Sequence, residues 1–260
     1  MARQKSDEED DGPWLSPRWA MILAAVFVLV VREVIPFGRL ALYPLTLFAT
    51  WVHEMGHGLT ALVLGGSFDR LEIYASAGGL AFTTSGDGWP RALVSMGGLL
   101  GPPLLGAMIL ATSRGPRRAS IVLWAVAGAM ILSTVIWVRS LTGLVVVPSV
   151  AVAIALLAYK GWDAVRHLVA QFLGVVLGLD TVSRIDYLFT EHAVIGGQAR
   201  PSDVANIASE VGGHYPLWGA LLAAISLSLL AVGIRIAWME TIRWSDLERP
   251  RQPVKAPRAR

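Results

Sequence analysis

The sequence contains no cysteine and few charged side chains for its length. Without cysteine, neither a disulfide bond nor a thiolate metal site is available, so any metal ion must be held by histidine and carboxylate side chains. Charged residues make up 16% of the 260 residues, against about 25% in an ordinary soluble domain. The net charge is only +3, which gives no basis for a nucleic-acid-binding surface.

Long uncharged apolar runs occupy most of the chain. About 20 apolar residues in a helix span the hydrocarbon layer of a membrane, and the sequence offers runs at 19–31, 40–64, 92–112, 119–138, 141–159, 165–179 and 216–238. The first run and the run at 165–179 are short. We therefore predict an all-α polytopic integral membrane protein with six or seven transmembrane helices, located in the cell membrane.

Two polar tails flank this predicted membrane domain, which covers residues 19–242. Residues 1–18 are acidic in their centre, and residues 243–260 are basic and rich in proline. Segments of such composition cannot bury enough apolar surface to fold by themselves. We expect the chemistry of the protein to lie in the membrane domain.

Two further segments depart from the helical pattern. Residues 68–88 alternate apolar and polar side chains around Ala77-Gly78-Gly79, which predicts a short β-hairpin directly after the second apolar run. Such a hairpin must be buried in protein, line a cavity or lie at the membrane surface, because lipid cannot satisfy an open strand edge. Residues 97–106, "GGLLGPPLLG", predict a kinked or broken helix with close backbone approach.

The apolar run at 40–64 contains His53, Glu54 and His57. Each ionisable group near the centre of a bilayer costs roughly 2.5–3.5 kcal/mol on insertion scales. Positions i and i+4 of a helix share a face, so the two histidines can direct ring nitrogens at one metal ion, for which zinc is the best match. Glu54 would then act as general base on metal-bound water. The alternative is a buried face on which these side chains only hydrogen-bond one another.

The stretch "HEMGHGLTALVLGG" resembles the His-Glu-x-Gly-His-x-x-x-Ala-x-x-x-Gly pattern of the site-2 protease family of intramembrane zinc metalloproteases. The matching positions are His53, Glu54, Gly56, His57, Ala61 and Gly65. The chain is more closely similar to the peptidase M50B-like branch, in which a Ser-Asp pair precedes a final helix, here Ser202-Asp203. The resemblance implies a zinc endopeptidase that cleaves transmembrane segments of other membrane proteins.

Two histidines leave zinc one short of the three protein ligands usual in catalytic sites, and the family's Leu-Asp-Gly signature for the third is absent. The resemblance favours Asp203 as that ligand, and a carboxylate folded back into the bundle would be costly unless a metal held it ionised. A helix N-cap is the other role for Asp203. Asp186 is the alternative ligand. We interpret Asp180 as an interfacial carboxylate.

Three histidines outside the motif could also serve as ligands: His167, His192 and His214. We interpret His167 as a core residue on an apolar face, and the other two as solvated loop residues.

The rival function is a proteolytically inactive zinc-binding membrane protein that binds partner helices without cutting them. The unliganded Glu54 favours catalysis, because a structural zinc site has no use for it. A transporter would distribute polar residues over several spans, whereas here they concentrate in one run. For a protease, the hairpin edge at 80–84 could bind an unfolded substrate segment as an added strand.

Overall fold

The computed structural model describes residues 17–247, most of which are helical. The helices are α1 Pro17–Glu33, α2 Gly38–Ala41, α3 Tyr43–Val63, α4 Trp89–Thr112, α5 Pro116–Ile136, α6 Leu141–Lys160, α7 Asp163–Gly178, α8 Asp180–Ser183, α9 Ile185–Leu188, α10 Asp203–Val211 and α11 Tyr215–Leu247. The strands are β1 Ser67–Ile73, β2 Gly79–Thr84, β3 His192–Ile195 and β4 Gln198–Pro201. The predicted tails lie largely outside the described residues.

Four of the described helices are long and apolar enough to cross a membrane, namely α4, α5, α6 and the Tyr215–Trp238 part of α11. The predicted integral membrane architecture is thus supported, but the predicted six or seven spans are not confirmed. Helices α1 and α7 have only 17 and 16 residues. Helix α3 has 21 residues, but its histidines and glutamate reduce its mean hydropathy.

Helices α3 and α4 pack with their backbones in direct contact. A Cβ atom on Gly56 would overlap the carbonyl oxygen of Gly97, and one on Gly97 would overlap the Thr60 hydroxyl. This confirms the predicted close approach, which small residues permit between membrane helices. The helix is not broken, however, because α4 continues through Pro102 and Pro103. The contact fixes the face of α3 that carries the histidines against α4.

The β1–β2 hairpin follows α3 as predicted, with Ile73 opposite Gly79 and Leu71 opposite Ala81. The outer edge of β1 is covered, since the Leu71 N–H donates to the Trp137 carbonyl oxygen and the Leu71 carbonyl accepts from Arg139. Both main-chain groups of Leu71 therefore point away from β2. In an antiparallel pair this makes Leu71 and Ala81 a non-hydrogen-bonded pair, so the N–H and C=O of Ala81 face the outer edge of β2.

A second hairpin, β3–β4, was not predicted, and it places His192 in a strand and not in a loop. Its strands have four residues each, and Gly196 and Gly197 form the turn with φ of 59° and 79°. Left-handed φ at both turn positions is the geometry of a tight two-residue hairpin, which glycine adopts without strain.

Helix α10 is held against α4 and α11 from both ends. Val204 and Ile207 are fully buried in a cluster with Ala92 and Leu222. At the other end, Glu210 accepts hydrogen bonds of 2.7 Å from the N–H of Gly88 and from Arg91. These bonds lower the pKa of the Glu210 carboxyl, so this attachment is present above the ordinary carboxyl pKa and weakens as the pH falls through the lowered value.

The contact between α3 and α4 predicts opposite effects for two glycine substitutions. Gly56→Ala forces a methyl group into a backbone carbonyl, so it should destabilise the fold by about 1–3 kcal/mol or more. Gly128→Ala, in α5, meets nothing within 4 Å and should be neutral or stabilise by up to about 1 kcal/mol through helix propensity. Thermal unfolding in detergent compares the two, and equal stability of both variants would contradict the packing argument.

Candidate metal centre

Helix α3 places the three motif side chains in the interior of the bundle. His53 and Glu54 are buried, with 8% and 5% of their surface exposed. As the i, i+4 spacing predicts, His53 and His57 meet, and their Nε2 atoms lie 3.1 Å apart. The rings are nearly perpendicular, at 81°, so both Nε2 atoms converge on one point beside α3.

Asp203 joins the two histidines from 150 positions away in the sequence. Its Oδ2 atom lies 3.1 Å from Nε2 of His53, and its Oδ1 atom lies 3.5 Å from Nε2 of His57. The N-cap of α10 is Ser202, whose hydroxyl accepts a hydrogen bond from the N–H of Ala205. The N-cap role for Asp203 is therefore wrong, and its carboxylate is directed at the histidines instead.

The three side chains form a donor set that fits zinc. One ligand atom from each lies within 4.8 Å of the others, and two ligands at about 2.0–2.1 Å from a tetrahedral zinc ion are about 3.3 Å apart. Nδ1 of His57 lies 2.8 Å from the carbonyl oxygen of Val94, which assigns the ring proton to Nδ1 and leaves the Nε2 lone pair for a metal. Gly98 makes room for this ring, because a Cβ atom there would overlap it.

Glu54 lies beside the cluster without belonging to it. Its Cγ atom packs against Gly79, where a Cβ atom would come within 2.5 Å. It lines the same cleft as His53, His57 and Asp203. A carboxylate next to a candidate metal position, but outside the ligand set, is what a general base requires.

The structure does not bring the other candidate ligands to the cluster. Asp186 is exposed, and His192 and His214 are exposed as expected. His167 is half-buried on α7. Asp180, which we interpreted as an interfacial carboxylate, is buried, with 8% of its surface exposed, and its Oδ1 atom pairs with Nε of Arg184 at 2.9 Å.

Two polar residues at the site were missed from the sequence. The Tyr187 hydroxyl donates a 3.0 Å hydrogen bond to Oδ2 of Asp203, and its ring stands edge-on to the His53 ring. Arg184 donates a 2.8 Å hydrogen bond to the Thr50 hydroxyl. Both follow the run at 165–179, and no local pattern separates them from ordinary loop residues. Tyr187 therefore orients the Asp203 carboxylate without being a candidate ligand itself.

Two cavities open on the cluster from different sides. The larger, of about 550 Å³, lies between β2 and the β3–β4 hairpin and is lined by His53, Glu54, His57 and Asp203 as well as by the strands. The smaller, of about 330 Å³, is lined by His53, Glu54, Arg184 and Tyr187. Ile195 of β3 lines both cavities, so the β3–β4 hairpin lies between the two openings.

Apolar helices of spanning length indicate an integral membrane protein, and the buried His-His-Asp cluster beside a glutamate is compatible with a metal site. The chain belongs to the peptidase M50B-like family, whose model matches residues 19–233. This confirms the resemblance drawn from the sequence and identifies the protein as a member of a peptidase family. Neither a curated protein nor a solved structure matches the chain.

The geometry predicts which carboxylate supports metal binding. Asp203→Asn should weaken zinc affinity on the order of 10–100-fold or more, because it removes a charged ligand atom and the Tyr187 contact to it. Asp186→Asn, the control, should change the affinity little. Zinc titration of both variants in detergent measures this. Undiminished affinity in Asp203→Asn, with a collapse in Asp186→Asn, would transfer the third ligand position to Asp186.

Proposed function

We propose that this protein is a zinc-dependent intramembrane endopeptidase that cleaves transmembrane segments of other proteins in the cell membrane. The observation that carries the proposal is the convergence of His53, His57 and Asp203 within 4.8 Å, with Glu54 beside them in a chain of the M50B-like family. The three donors match the protein ligands of a catalytic zinc site, which leaves a fourth position for water or substrate.

Zinc held by His53, His57 and Asp203 would supply a Lewis acid that polarises the scissile carbonyl group and acidifies water. Glu54 accepts one proton from the attacking water as the water oxygen bonds to the carbonyl carbon. It then delivers that proton to the peptide nitrogen as the C–N bond breaks. Glu54 is only 5% exposed, and a substrate segment in the cleft would displace water from it, so the proton stays between the two reacting groups.

The cleft beside β2 suits an extended substrate backbone. A transmembrane helix hides its carbonyl groups in its own hydrogen bonds, so the segment to be cut has to unwind first. In the described residues β2 pairs with β1 alone, and the main-chain groups of Ala81 face its outer edge. Gly79 and Ala81 both line the cleft that contains Glu54. A substrate strand added to this edge therefore runs past the general base.

Replacing the general base tests the proposal. Glu54→Gln removes the proton acceptor and preserves the shape of the side chain, so it should abolish cleavage while about one zinc ion per chain remains bound. His53→Ala and His57→Ala should lose both cleavage and the bound zinc. Co-expression with candidate single-span membrane proteins measures cleavage, and metal analysis measures zinc.

Two outcomes of that experiment would contradict the proposal. Native-rate cleavage by Glu54→Gln would exclude the mechanism. Zinc binding and partner binding without cleavage in the native chain would identify the rival, a proteolytically inactive zinc protein.

Strand addition predicts a specific effect at Ala81. Ala81→Pro removes the outward N–H, which in the free protein also bonds to the Glu54 carboxyl group, without breaking the β1–β2 ladder. KM should therefore rise roughly tenfold for the loss of one hydrogen bond of about 1–1.5 kcal/mol to the substrate, and kcat should fall as well, because the general base loses a partner. Ala81→Ser keeps the N–H and serves as the control. Steady-state cleavage of a substrate found in the co-expression assay measures KM. A KM in Ala81→Pro equal to that of Ala81→Ser would exclude this binding mode.

A further inference from the structure

A polar network lies one helical turn from Glu54. Thr50 precedes Glu54 by four positions and shares its face of α3. Both side chains pack against Gly79, where a Cβ atom would lie 2.5 Å from Cγ of Glu54 and 2.8 Å from Cγ2 of Thr50. Nη2 of Arg184 donates a 2.8 Å hydrogen bond to the Thr50 hydroxyl. The guanidinium of Arg184, 134 positions from Thr50 in the sequence, is thus bound to α3 one helical turn from the general base.

Arg184 is anchored on two sides. Its Nε atom donates to Oδ1 of Asp180 at 2.9 Å, and Thr50, which accepts from Nη2, itself donates to the Ala77 carbonyl at 2.8 Å. These two bonds use Nε–H and one Nη2–H of the five N–H groups of a guanidinium. The Arg184 side chain is 26% exposed and that of Asp180 is 9% exposed.

The exposed part of Arg184 borders the reaction space. Arg184 lines the cavity of about 330 Å³ that is also lined by His53, Glu54 and Tyr187. A buried ion pair is weak evidence of a stabilising role, because apolar side chains of the same volume are often as stable. A purely structural link between α8 and α3 therefore does not explain why a cationic side chain lines this cavity.

We propose that Arg184 is a further catalytic residue, which donates a hydrogen bond to the scissile carbonyl oxygen as negative charge develops there. This inference rests on the proposed function. As the water oxygen bonds to the carbonyl carbon, the C=O π electrons move onto the oxygen, which accepts the bond from Arg184. They return as the C–N bond breaks and Glu54 protonates the nitrogen. The bonds to Asp180 and Thr50 fix the donor in advance, as such stabilisation requires.

The test compares Arg184→Gln with the native chain on fluorescein-labelled β-casein in detergent. We expect kcat to fall on the order of 10²–10³-fold, as when one oxyanion donor is removed, with KM, zinc content and unfolding temperature nearly unchanged. A phosphinic peptide, whose tetrahedral anion mimics the transition state, should lose affinity by a similar factor. The matching amide peptide should bind to Glu54→Gln and to Glu54→Gln/Arg184→Gln with the same affinity.

A structural role would give different results. If Arg184 acts only as the partner of the Asp180 carboxylate, Asp180→Asn/Arg184→Gln should restore a neutral hydrogen-bonded pair and recover kcat, which would overturn the inference. If Arg184 is the donor, the double variant should remain as slow as Arg184→Gln.

Failure of the inference and failure of the proposed function can be told apart. Suppose that the native chain is active and that Arg184→Gln has the same kcat and the same affinity for the phosphinic peptide. This result overturns only the inference. A zinc-loaded native chain that cleaves neither β-casein nor any membrane substrate overturns the proposed function, and the inference with it.

Discussion

Polar groups inside an apolar helical bundle have to be satisfied by one another, and the His53–His57–Asp203 cluster imposes that constraint on three helices at once. The His57 ring can join the cluster only because its Nδ1 reaches the Val94 carbonyl on α4, and because Gly98 leaves space for the ring. The same approach of α3 and α4 requires Gly56 and Gly97. Helix packing and histidine orientation are therefore one requirement, and a side chain larger than hydrogen at these glycines affects both.

The position of Asp203 depends on structure that lies on both sides of it. Ser202 takes the N-cap of α10 and also donates to the Thr190 carbonyl, which joins the start of α10 to the base of the β3–β4 hairpin. Val204 is fully buried and holds the first turn of α10 in place. The hairpin that borders the cleft and the residue that completes the candidate metal centre are thus adjacent in the chain and are joined by this hydrogen bond.

The meeting of His53 and His57, with Glu54 beside them, could be predicted from the sequence, because these residues are local. His53, Glu54 and His57 lie within one helical turn, where spacing alone determines which side chains meet. Asp203 was favoured over Asp186 through the Ser-Asp pair and an argument about the cost of a buried carboxylate. Tyr187 could not be predicted, because its role depends on a contact across 16 positions that periodicity does not encode.

The fold was predictable to a similar extent. The β1–β2 hairpin has seven and six residues in its strands, enough for the alternation to be recognised, whereas the four-residue strands of β3–β4 gave too short a pattern. The predicted number of spans is not confirmed, and there is a physical reason for this. Hydrophobic runs identify helices that face lipid, while α3 is shielded by neighbouring elements, as its buried Leu47, Phe48 and Trp51 show, and can carry polar groups that lower its hydropathy.

Two carboxylates lie at this site, and their partners separate their roles. Asp203 is approached by both histidines and accepts a hydrogen bond from Tyr187, so its charge is fully engaged and it is suited to remain ionised as a ligand. Glu54 has neither histidine at hydrogen-bond distance in the described structure, and it borders both cavities. A carboxylate that is buried, close to cations and not committed to them retains its basicity toward a substrate proton. In the proposed function, the distribution of hydrogen bonds, more than the identity of the side chains, would make Asp203 the ligand and Glu54 the base.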